Sequence, residues 1–372
     1  MDQKKKKIAV IGLKGLPPFG GAANVGDTII ERLSGKYDFT VYATASHTTH
    51  KGDYKGAHQI VFARFPIKKL NVFYYYIASA FHAVFTRKYD LVHLHHMDGA
   101  FTLLLLRLRY KVIATGHGQP YANGKWGKWL NPYFRTNEWL QARLSNHLTV
   151  VSSDLERNYS RLLPPEKITY IPNGVTYLAP STAAIDAVPG SYILFSAGRI
   201  ISTKGLHILL SALHLCGYKG KLIVLGDHLQ RQDYAQQLFD LAAGLNVEFK
   251  GLLKDKALLN AYVAGARLFV FPSTLEGMSM MLLEVASLRT PVICSDIIQN
   301  TDVFARDEML FFRSESDTDL ADKIAWALNH PEEMKVMAEK AWRSQVTKYE
   351  SSVTTSQYDQ VFQQFLTSQA DK

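Results

Sequence analysis

Two basic side chains, Arg199 and Lys204, lie five residues apart in the segment SAGRIISTKG. An apolar run that predicts a β-strand precedes them and a helical pattern follows, so both fall on a strand-to-helix loop. Two cations on such a loop can neutralise a diphosphate leaving group, whose negative charge grows as the bond to it breaks. The alternative is a solvated surface pair that binds no ligand.

Two carboxylates, Glu276 and Glu284, lie eight residues apart in residues 273–296. Glu284 stands in the apolar helical stretch MMLLEVA, where an unpartnered charge is costly, and a ribose diol would be a suitable partner. Glu276 precedes this helix, where its carboxylate can meet the hydroxyls of a sugar. The alternatives are helix capping for Glu276 and a structural hydrogen bond for Glu284.

A glycine-rich segment, GLKGLPPFGGAANVGD at 12–27, directly follows the first predicted strand. Glycines between a strand and a helix let the backbone approach a phosphate, and the helix N-terminus supplies amide donors. The pattern is not GxGxxG, which makes a nicotinamide dehydrogenase a poor interpretation. Gly20 and Gly21 follow two prolines, which indicates a shaped loop rather than an ordinary turn.

The elements that must position these residues follow from an alternation of short apolar runs with helical patterns. The runs are 6–11, 39–44, 91–95, 111–117 and 148–152, then 192–198, 221–227, 247–251, 268–273 and 291–296. Such an alternation predicts parallel sheets with helices on both faces. Small, polar and proline-containing residues at 177–191 interrupt it and suit a linker.

The sequence therefore predicts two doubly wound α/β domains in tandem. The N-terminal domain spans 1–176 and the C-terminal domain spans 192–350, and the chain of 372 residues is long enough for two cores. The last segment, 351–372, is predicted to contain a helix that packs on the second domain or returns to the first.

Composition predicts a folded, cytoplasmic protein. Two cysteines without a CxxC pair fit a reducing compartment, and we expect neither a signal peptide nor a membrane span. Residues 1–176 hold 24 lysines and arginines against 11 acidic residues, a net charge of +13. This excess implies an anionic partner, which could be a membrane face or a phosphate-bearing acceptor. Nucleic acid is disfavoured because no binding motif is present.

One aromatic and basic stretch, KWGKWLNPYFR at 125–135, suits the interface of an anionic membrane. Its members are Lys125, Trp126, Lys128, Trp129, Tyr133, Phe134 and Arg135. Core packing of the aromatic residues is the alternative. The pattern predicts peripheral binding to the inner face of the membrane.

Two possible metal motifs are discounted. His93 and His95 share one face of a predicted strand and could ligate a metal, but hydrogen-bonded histidines at a strand end are the preferred interpretation. Asp317 and Asp319 form a DxD at the start of a predicted helix, where helix capping is preferred. We therefore predict no metal and no cofactor.

Taken together, the chain resembles the family 4 glycosyltransferases of the retaining GT-B type. The resemblance rests on the Gly-Gly loop, on G-R-x4-K-G at 198–205, on PNGV at 172–175 and on E-x7-E at 276–284. The N-terminal half also resembles the branch that includes bacterial rhamnosyltransferases, through the first loop and GHGQPYANGKWGKWL at 116–130. The fold implied is GT-B, two Rossmann-like domains facing across a cleft, with acceptor on the first and nucleotide-sugar donor on the second.

The resemblance also implies residue roles in the second domain. Arg199 and Lys204 match the pair that holds the donor diphosphate, Glu284 the ribose-binding carboxylate, and Glu276 the carboxylate that faces the donor sugar. The loop amides under the sugar and phosphate match Gly277, Met278 and Ser279. MSMM stands where many members have F-G-x-P, which leaves the sugar contacts of this loop open.

In the first domain, Gly20 and Gly21 match a loop that closes on the diphosphate, and His117 matches a histidine at the sugar site. Phe19 stands where the rhamnosyltransferase branch usually has tyrosine. The activity implied is retaining, metal-independent transfer of a hexosyl or deoxyhexosyl group to a saccharide or lipid-linked acceptor, in bacterial surface polysaccharide or glycolipid synthesis. A GT-B sugar-nucleotide epimerase or hydrolase and a non-catalytic nucleotide-sugar-binding protein remain as alternatives.

Overall fold

A computed structural model describes residues 4–18, 21–67, 70–119, 130–179, 181–229 and 231–367. The chain divides into two compact units. The first comprises Met1–Gly174 and Ser351–Lys372, and the second comprises Val175–Glu350. The segment predicted to be a linker, 177–191, belongs to the second unit, where the Asp186 carboxylate accepts a hydrogen bond from Lys250 at 2.7 Å.

The first unit is built on one sheet that, in the described ranges, has eight strands. They are β1 (Lys6–Lys14), β2 (Tyr37–Thr44), β3 (Gly52–Tyr54), β4 (Ala57–Phe62), β5 (Leu91–His95), β6 (Val112–Gly116), β7 (His147–Val150) and β8 (Ile168–Tyr170). Their order is β3-β4-β2-β1-β5-β6-β7-β8, and every pairing is parallel except β3 with β4. The central strands are buried on both faces, which is why they read as continuous apolar runs.

Helices follow the strands of the first unit. They are α1 (Gly21–Leu33), α2 (Asn71–Thr86), α3 (Leu103–Leu106), α4 (Asn131–Leu144) and α5 (Ser153–Tyr159). A 3-10 turn over Met97–Thr102 leads directly into α3. The buried side of α2 includes Tyr75, whose hydroxyl donates to the Tyr42 carbonyl at 2.9 Å and accepts from the Gly12 amide at 2.7 Å. These bonds fix the start of the glycine-rich loop after β1.

The second unit repeats the arrangement with six strands among its described residues. They are β9 (Tyr192–Arg199), β10 (Lys221–Asp227), β11 (Asn246–Gly251), β12 (Leu268–Phe271), β13 (Val292–Ser295) and β14 (Leu310–Phe312), in the order β11-β10-β9-β12-β13-β14 and all parallel. The helices are α6 (Leu206–Leu215), α7 (Gln232–Ala242), α8 (Lys256–Ala264), α9 (Met280–Ser287), α10 (Ile298–Thr301), α11 (Asp317–Asn329) and α12 (Pro331–Lys348). Within each sheet, the parallel strands end at one edge, and loops at this edge bind ligands in doubly wound folds.

The last helix, α13 (Ser351–Thr367), belongs to the first unit. Its Phe362 is fully buried and meets the rings of Tyr37 and His93 edge-on, with centroid distances of 5.8 and 5.3 Å. Asp359 on the same helix accepts hydrogen bonds from Lys36 at 2.6 Å and from the Tyr37 hydroxyl at 2.5 Å. Of the two packings considered from sequence, the helix adopts the return to the first unit. In the part of the chain that the structure describes, no helix combines the length and apolarity needed to span a bilayer.

Candidate functional site

In the second unit, the loop after β9 is held against the loop after β12. Gly205 directly precedes α6 and has a φ of 72°, and a Cβ atom there would lie 1.9 Å from the Pro272 carbonyl oxygen. Only glycine allows this approach. The Thr274 amide then donates to the Thr203 carbonyl at 2.9 Å, which joins the two loops side by side.

This junction brings Lys204 and Glu276 together. The Lys204 ammonium lies 2.5 Å from Glu276 Oε1, and the two side chains are 25% and 10% exposed. Arg199, the last residue of β9, is exposed, and its guanidinium has no hydrogen bond or ion pair within the described ranges. Two cations therefore stand on one strand-to-helix loop, and one of them already holds a carboxylate from the neighbouring loop.

Ser279 caps α9, because its hydroxyl accepts a hydrogen bond from the Leu282 amide at 3.3 Å. Glu276 is therefore the partner of Lys204 and not the cap of the helix. Between them, Gly277 is half-buried and Met278 is buried. The segment 276–279 thus lies beside the cations and leads into the amino end of α9, whose first amides carry partial positive charge.

Glu284 lies on the second turn of α9 and is half-buried. Its carboxylate makes no hydrogen bond or ion pair with any residue that the structure describes. Burial raises the pKa of this carboxyl, and the more distant Lys256 ammonium only partly opposes that rise. Glu284 is thus a half-buried, unpartnered carboxylate on the helix that follows the loop of Glu276. A ligand hydroxyl could donate a hydrogen bond to it.

In the first unit, His117 lies beyond the carboxyl end of β6 and contacts His95 at the end of β5. His117 Nε2 is 2.9 Å from His95 Nδ1, and the rings are nearly parallel at 14°. Burial lowers the pKa of both imidazoles well below the usual value, and the neighbouring histidines lower it further. His117 is therefore uncharged at neutral pH, and as a neutral imidazole it can form a hydrogen bond with a ligand.

His93 lies at one end of a hydrogen-bonded chain of side chains. Its Nε2 lies 2.7 Å from the Thr115 hydroxyl, which lies 2.7 Å from the Thr149 hydroxyl. The His93 and His95 ring centroids are 4.0 Å apart, so the two share a face as alternation predicts. No group of three or more potential ligands is found among the described residues. The DxD is a helix start, where the Asp319 carboxylate accepts from the Arg313 amide at 2.6 Å.

Two family models match successive parts of the chain. The model described as Glycosyltransferase Family 4 matches residues 19–177, and the model described as Glycosyl transferases group 1 matches residues 182–343. The chain belongs to the family 4 glycosyltransferases. The predicted family is confirmed; the rhamnosyltransferase branch stays a prediction.

This glycosyltransferase is 30% identical over 98 residues to TuaC of Bacillus subtilis (strain 168), which is named for teichuronic acid biosynthesis. The match covers 26% of this chain and 23% of TuaC. Among solved structures it is similar to the sucrose-phosphate synthase of Thermosynechococcus elongatus, with 19% identity, a TM-score of 0.83 and coverage of 98% and 100% of the two chains. It is also similar to Anabaena HepE in complex with UDP-glucose, with 17% identity, a TM-score of 0.77 and coverage of 96% and 99%. At these identities the likeness is one of fold, and the predicted GT-B fold class of two Rossmann-like units is confirmed.

Sequence reasoning missed a half-buried ion pair at the edge of the first sheet where the parallel strands end. Lys14, in the left-handed region with a φ of 69°, places its ammonium 3.2 Å from Asp98 Oδ2. The Tyr76 hydroxyl donates to the other oxygen at 2.9 Å, and the Tyr133 hydroxyl donates to the Asp98 carbonyl at 2.7 Å. Burial alone would raise the pKa of Asp98, but Lys14, His96 and Tyr76 outweigh it and the pKa is lowered. No motif marks this pair, since its members lie 84 residues apart.

Several predicted residues lie outside the described ranges, namely Gly20, Lys125, Trp126, Lys128 and Trp129. Of the remainder, Gly21 is the first residue of α1 and Arg135 is exposed on α4. The membrane interpretation of Phe134 is wrong, because this side chain is only 3% exposed and belongs to the core. Tyr133 is half-buried and its hydroxyl donates to the Asp98 carbonyl, and its membrane contact stays a prediction.

Proposed function

We propose that this glycosyltransferase moves a sugar from a nucleotide-sugar donor to a saccharide or lipid-linked acceptor, with retention of the anomeric configuration. The observation that carries the proposal is the Lys204–Glu276 pair at 2.5 Å, with Arg199 on the same loop and Glu284 on the adjoining helix. These are the groups that the family resemblance assigns to diphosphate, sugar and ribose. The sequence brings them from two loops to one edge of one sheet.

In the proposed donor complex, the diphosphate accepts hydrogen bonds from Lys204 and Arg199. A diphosphate carries more charge than one carboxylate, so it competes with Glu276 for Lys204 and leaves the Glu276 carboxylate to accept from sugar hydroxyls. Glu284 accepts from the ribose diol, and the amides of Gly277, Met278 and Ser279 donate to the phosphate and sugar. The HepE complex with UDP-glucose supports a nucleotide-sugar donor of this kind.

During transfer, the bond from the anomeric carbon to the diphosphate breaks, a bond to the acceptor oxygen forms, and the acceptor proton is released. Negative charge grows on the departing diphosphate. Arg199, Lys204 and the amides of α9 are positioned to bind this charge. Preorganised cations at such a position stabilise the transition state more than the ground state. We propose that they take the part that a divalent metal plays in other glycosyltransferases.

The acceptor is proposed to bind the first unit. His117 of this unit is proposed to contact the donor sugar, and Gly20 and Gly21 the donor diphosphate. The name of TuaC supports a role in bacterial surface polysaccharide synthesis. The net charge of +13 over residues 1–176 supports peripheral binding to the inner face of the cytoplasmic membrane, where a lipid-linked acceptor would be found.

Screening UDP-, GDP- and dTDP-sugars by thermal stabilisation tests the donor site. A ligand at a hundred times its dissociation constant stabilises the protein by about 2.7 kcal/mol. The stabilising donor is then incubated with acceptor glycolipids, and NMR of the product reads the anomeric configuration. Transfer with retention in the presence of EDTA is expected.

Three outcomes would contradict the proposal. Donor turnover without any acceptor would indicate an epimerase or hydrolase. Donor binding without turnover, across a broad acceptor panel, would indicate a nucleotide-sugar-binding protein. Restoration by Mg²⁺ or Mn²⁺ of an activity that EDTA abolishes would contradict the assignment of Arg199 and Lys204 to the leaving group.

A further inference from the structure

Three elements of the first unit lie side by side on its sheet. The ring of Phe73 on α2 stacks on Phe101 of the helical segment 97–106, with centroids 4.8 Å apart. Asn137 on α4 accepts a hydrogen bond from the Phe101 amide at 2.8 Å. The Tyr110 hydroxyl, just after the segment, donates at 2.8 Å to a carbonyl in the last turn of α2. We call the outward side of α2, residues 97–110 and α4 the outer helical face.

The outer helical face exposes large apolar side chains. Phe81 and Phe85 on α2 are 52% and 67% exposed, and their rings are 5.6 Å apart. Leu104 and Leu108 are 62% and 77% exposed, and Trp139 on α4 is 53% exposed. Single exposed apolar residues are ordinary, but a group of this size on adjoining elements marks a surface that binds a partner.

Basic side chains border the apolar group. Arg135 and Arg143 lie one turn before and one turn after Trp139, so the three form an exposed stripe along α4. Neither arginine has a hydrogen bond or ion pair with any described residue. Arg87 and Lys88, directly after α2, are also exposed.

Basic residues outnumber the acidic residues of the same elements. Asp98 is bound by Lys14, as described above, and the other carboxylate, Glu138, accepts a hydrogen bond from Gln119 at 2.9 Å and keeps its charge. Against these two stand six basic residues, namely Arg87, Lys88, Arg107, Arg109, Arg135 and Arg143. The outer helical face therefore combines aromatic and leucine side chains with a net positive charge. This combination is typical of surfaces that enter the headgroup boundary of an anionic bilayer.

We propose that the outer helical face docks on an anionic lipid bilayer. The apolar side chains named above enter the headgroup boundary, and Arg135 and Arg143 bind lipid phosphates. The inference rests on the membrane location within the proposed function and names a surface for it. A second copy of the chain is a poorer occupant, because a two-fold interface would bring the net positive face of one copy against the same net positive face of the other.

Vesicle co-sedimentation tests the proposal with vesicles of phosphatidylcholine alone and of phosphatidylcholine mixed with phosphatidylglycerol. Neither donor nor acceptor is present, so binding cannot pass through the transfer site. One variant combines Phe81→Ser, Phe85→Ser and Leu108→Ser, and a second combines Arg135→Gln and Arg143→Gln. The matched controls on the second unit combine Val188→Ser, Leu215→Ser and Val336→Ser, or Arg306→Gln and Lys348→Gln.

The wild type is expected to bind the anionic vesicles only. Each basic residue near such a surface contributes about 1 kcal/mol, so losing both arginines weakens binding roughly 30-fold. The serine variant is expected to lose the part of the binding that high salt does not remove. Both control variants bind as the wild type does.

Wild-type binding to neither vesicle, or unchanged binding by both outer-face variants, would overturn the proposal. A dimer seen by sedimentation velocity, lost in the serine variant and without vesicle binding, would assign the face to self-association instead. Nucleotide-induced thermal stabilisation of every variant separates the two proposals. If no nucleotide stabilises the wild type, the donor assignment fails, and the vesicle result still decides the surface.

Discussion

In the second unit, Lys204 reaches across two loops to Glu276, while Arg199 on the same loop is exposed to solvent. An ion pair that holds Lys204 near its working position lowers the entropy lost when a diphosphate binds. Glu276 has to release Lys204 when the diphosphate binds, which lowers the affinity for the donor. The ion pair therefore affects both the position of Lys204 and the donor affinity. This arrangement leads to two predictions about single side chains.

The first concerns the two cations. Arg199→Ala and Lys204→Ala are each expected to lower kcat/KM by a factor that corresponds to about 2–4 kcal/mol of lost transition-state stabilisation. Each removes a cation that binds a leaving group which becomes more negative in the transition state. Steady-state kinetics with the stabilising donor measure the loss. Lys219→Ala, in the exposed turn two residues before β10, is the matched control and is expected to retain wild-type turnover. Near-wild-type turnover in both site variants would remove the assignment.

The second concerns Glu284. Its raised folded pKa means that folding disfavours the ionised form, so its destabilising contribution grows as pH rises through the unfolded pKa. Glu284→Gln is therefore expected to stabilise the fold at neutral pH and to lose nucleotide affinity. The gain should vanish below about pH 4, where the carboxyl is protonated in both states. Denaturant unfolding at several pH values measures this; Glu276→Gln, which breaks an ion pair, should show no gain.

Among the elements, the loop between β9 and α6 depends on Gly205. Gly205→Ala would place a Cβ atom 1.9 Å from the Pro272 carbonyl oxygen, so the loop that carries Lys204 must move. The expected cost exceeds the roughly 1–2 kcal/mol of a left-handed alanine, and nucleotide-induced stabilisation is expected to be lost. Gly217→Ala is the matched control, because Gly217 has a φ of 63° and no atom within 4 Å of the added Cβ. Equal losses of stability in the two variants would contradict this account.

The same elements show what sequence can and cannot give. Strands β5 and β10 have the bounds that were predicted from their sequence, 91–95 and 221–227, because central parallel strands are buried on both faces and are therefore rich in apolar residues. Strand β4 was missed because it carries polar residues, including a buried Gln59 whose amide binds the Leu16 backbone. The three-residue β14 is too short for any period to show.

For the candidate site too, one part could be predicted from the sequence and another could not. Each strand-to-helix loop and its charged residues could be read from local pattern, since the chemistry is encoded within a few positions. Which loops meet could not, because Lys204 and Glu276 are 72 residues apart and meet only because β12 pairs with β9. The pairs His95–His117 and Lys14–Asp98 depend likewise on β5 lying between β1 and β6.

At the scale of the whole molecule, the chain crosses from the first unit to the second and returns at residue 351. The first unit is therefore incomplete until the last helix has been made. Helix α13 supplies Tyr358 and Phe362, both fully buried, to the sheet at β2 and β5. Stability of the amino-terminal sheet is thus expected to depend on residues more than 260 positions away. Such long-range contacts have a high entropic cost of closure.

Phe362→Ala tests this dependence. Truncating a fully buried phenylalanine is expected to cost about 3–5 kcal/mol, and the cost should fall on the first unit. Hydrogen exchange followed by mass spectrometry localises it. Peptides from β1, β2 and β5 should exchange faster in the variant, while peptides from β9, β10 and β12 keep wild-type protection. Val353→Ala, on the same helix but 40% exposed, is the control and should change neither set. Faster exchange confined to the second unit would mean that α13 stabilises that unit instead. In a separate measurement, unchanged nucleotide-induced stabilisation of Phe362→Ala would show that the donor site folds without the helix.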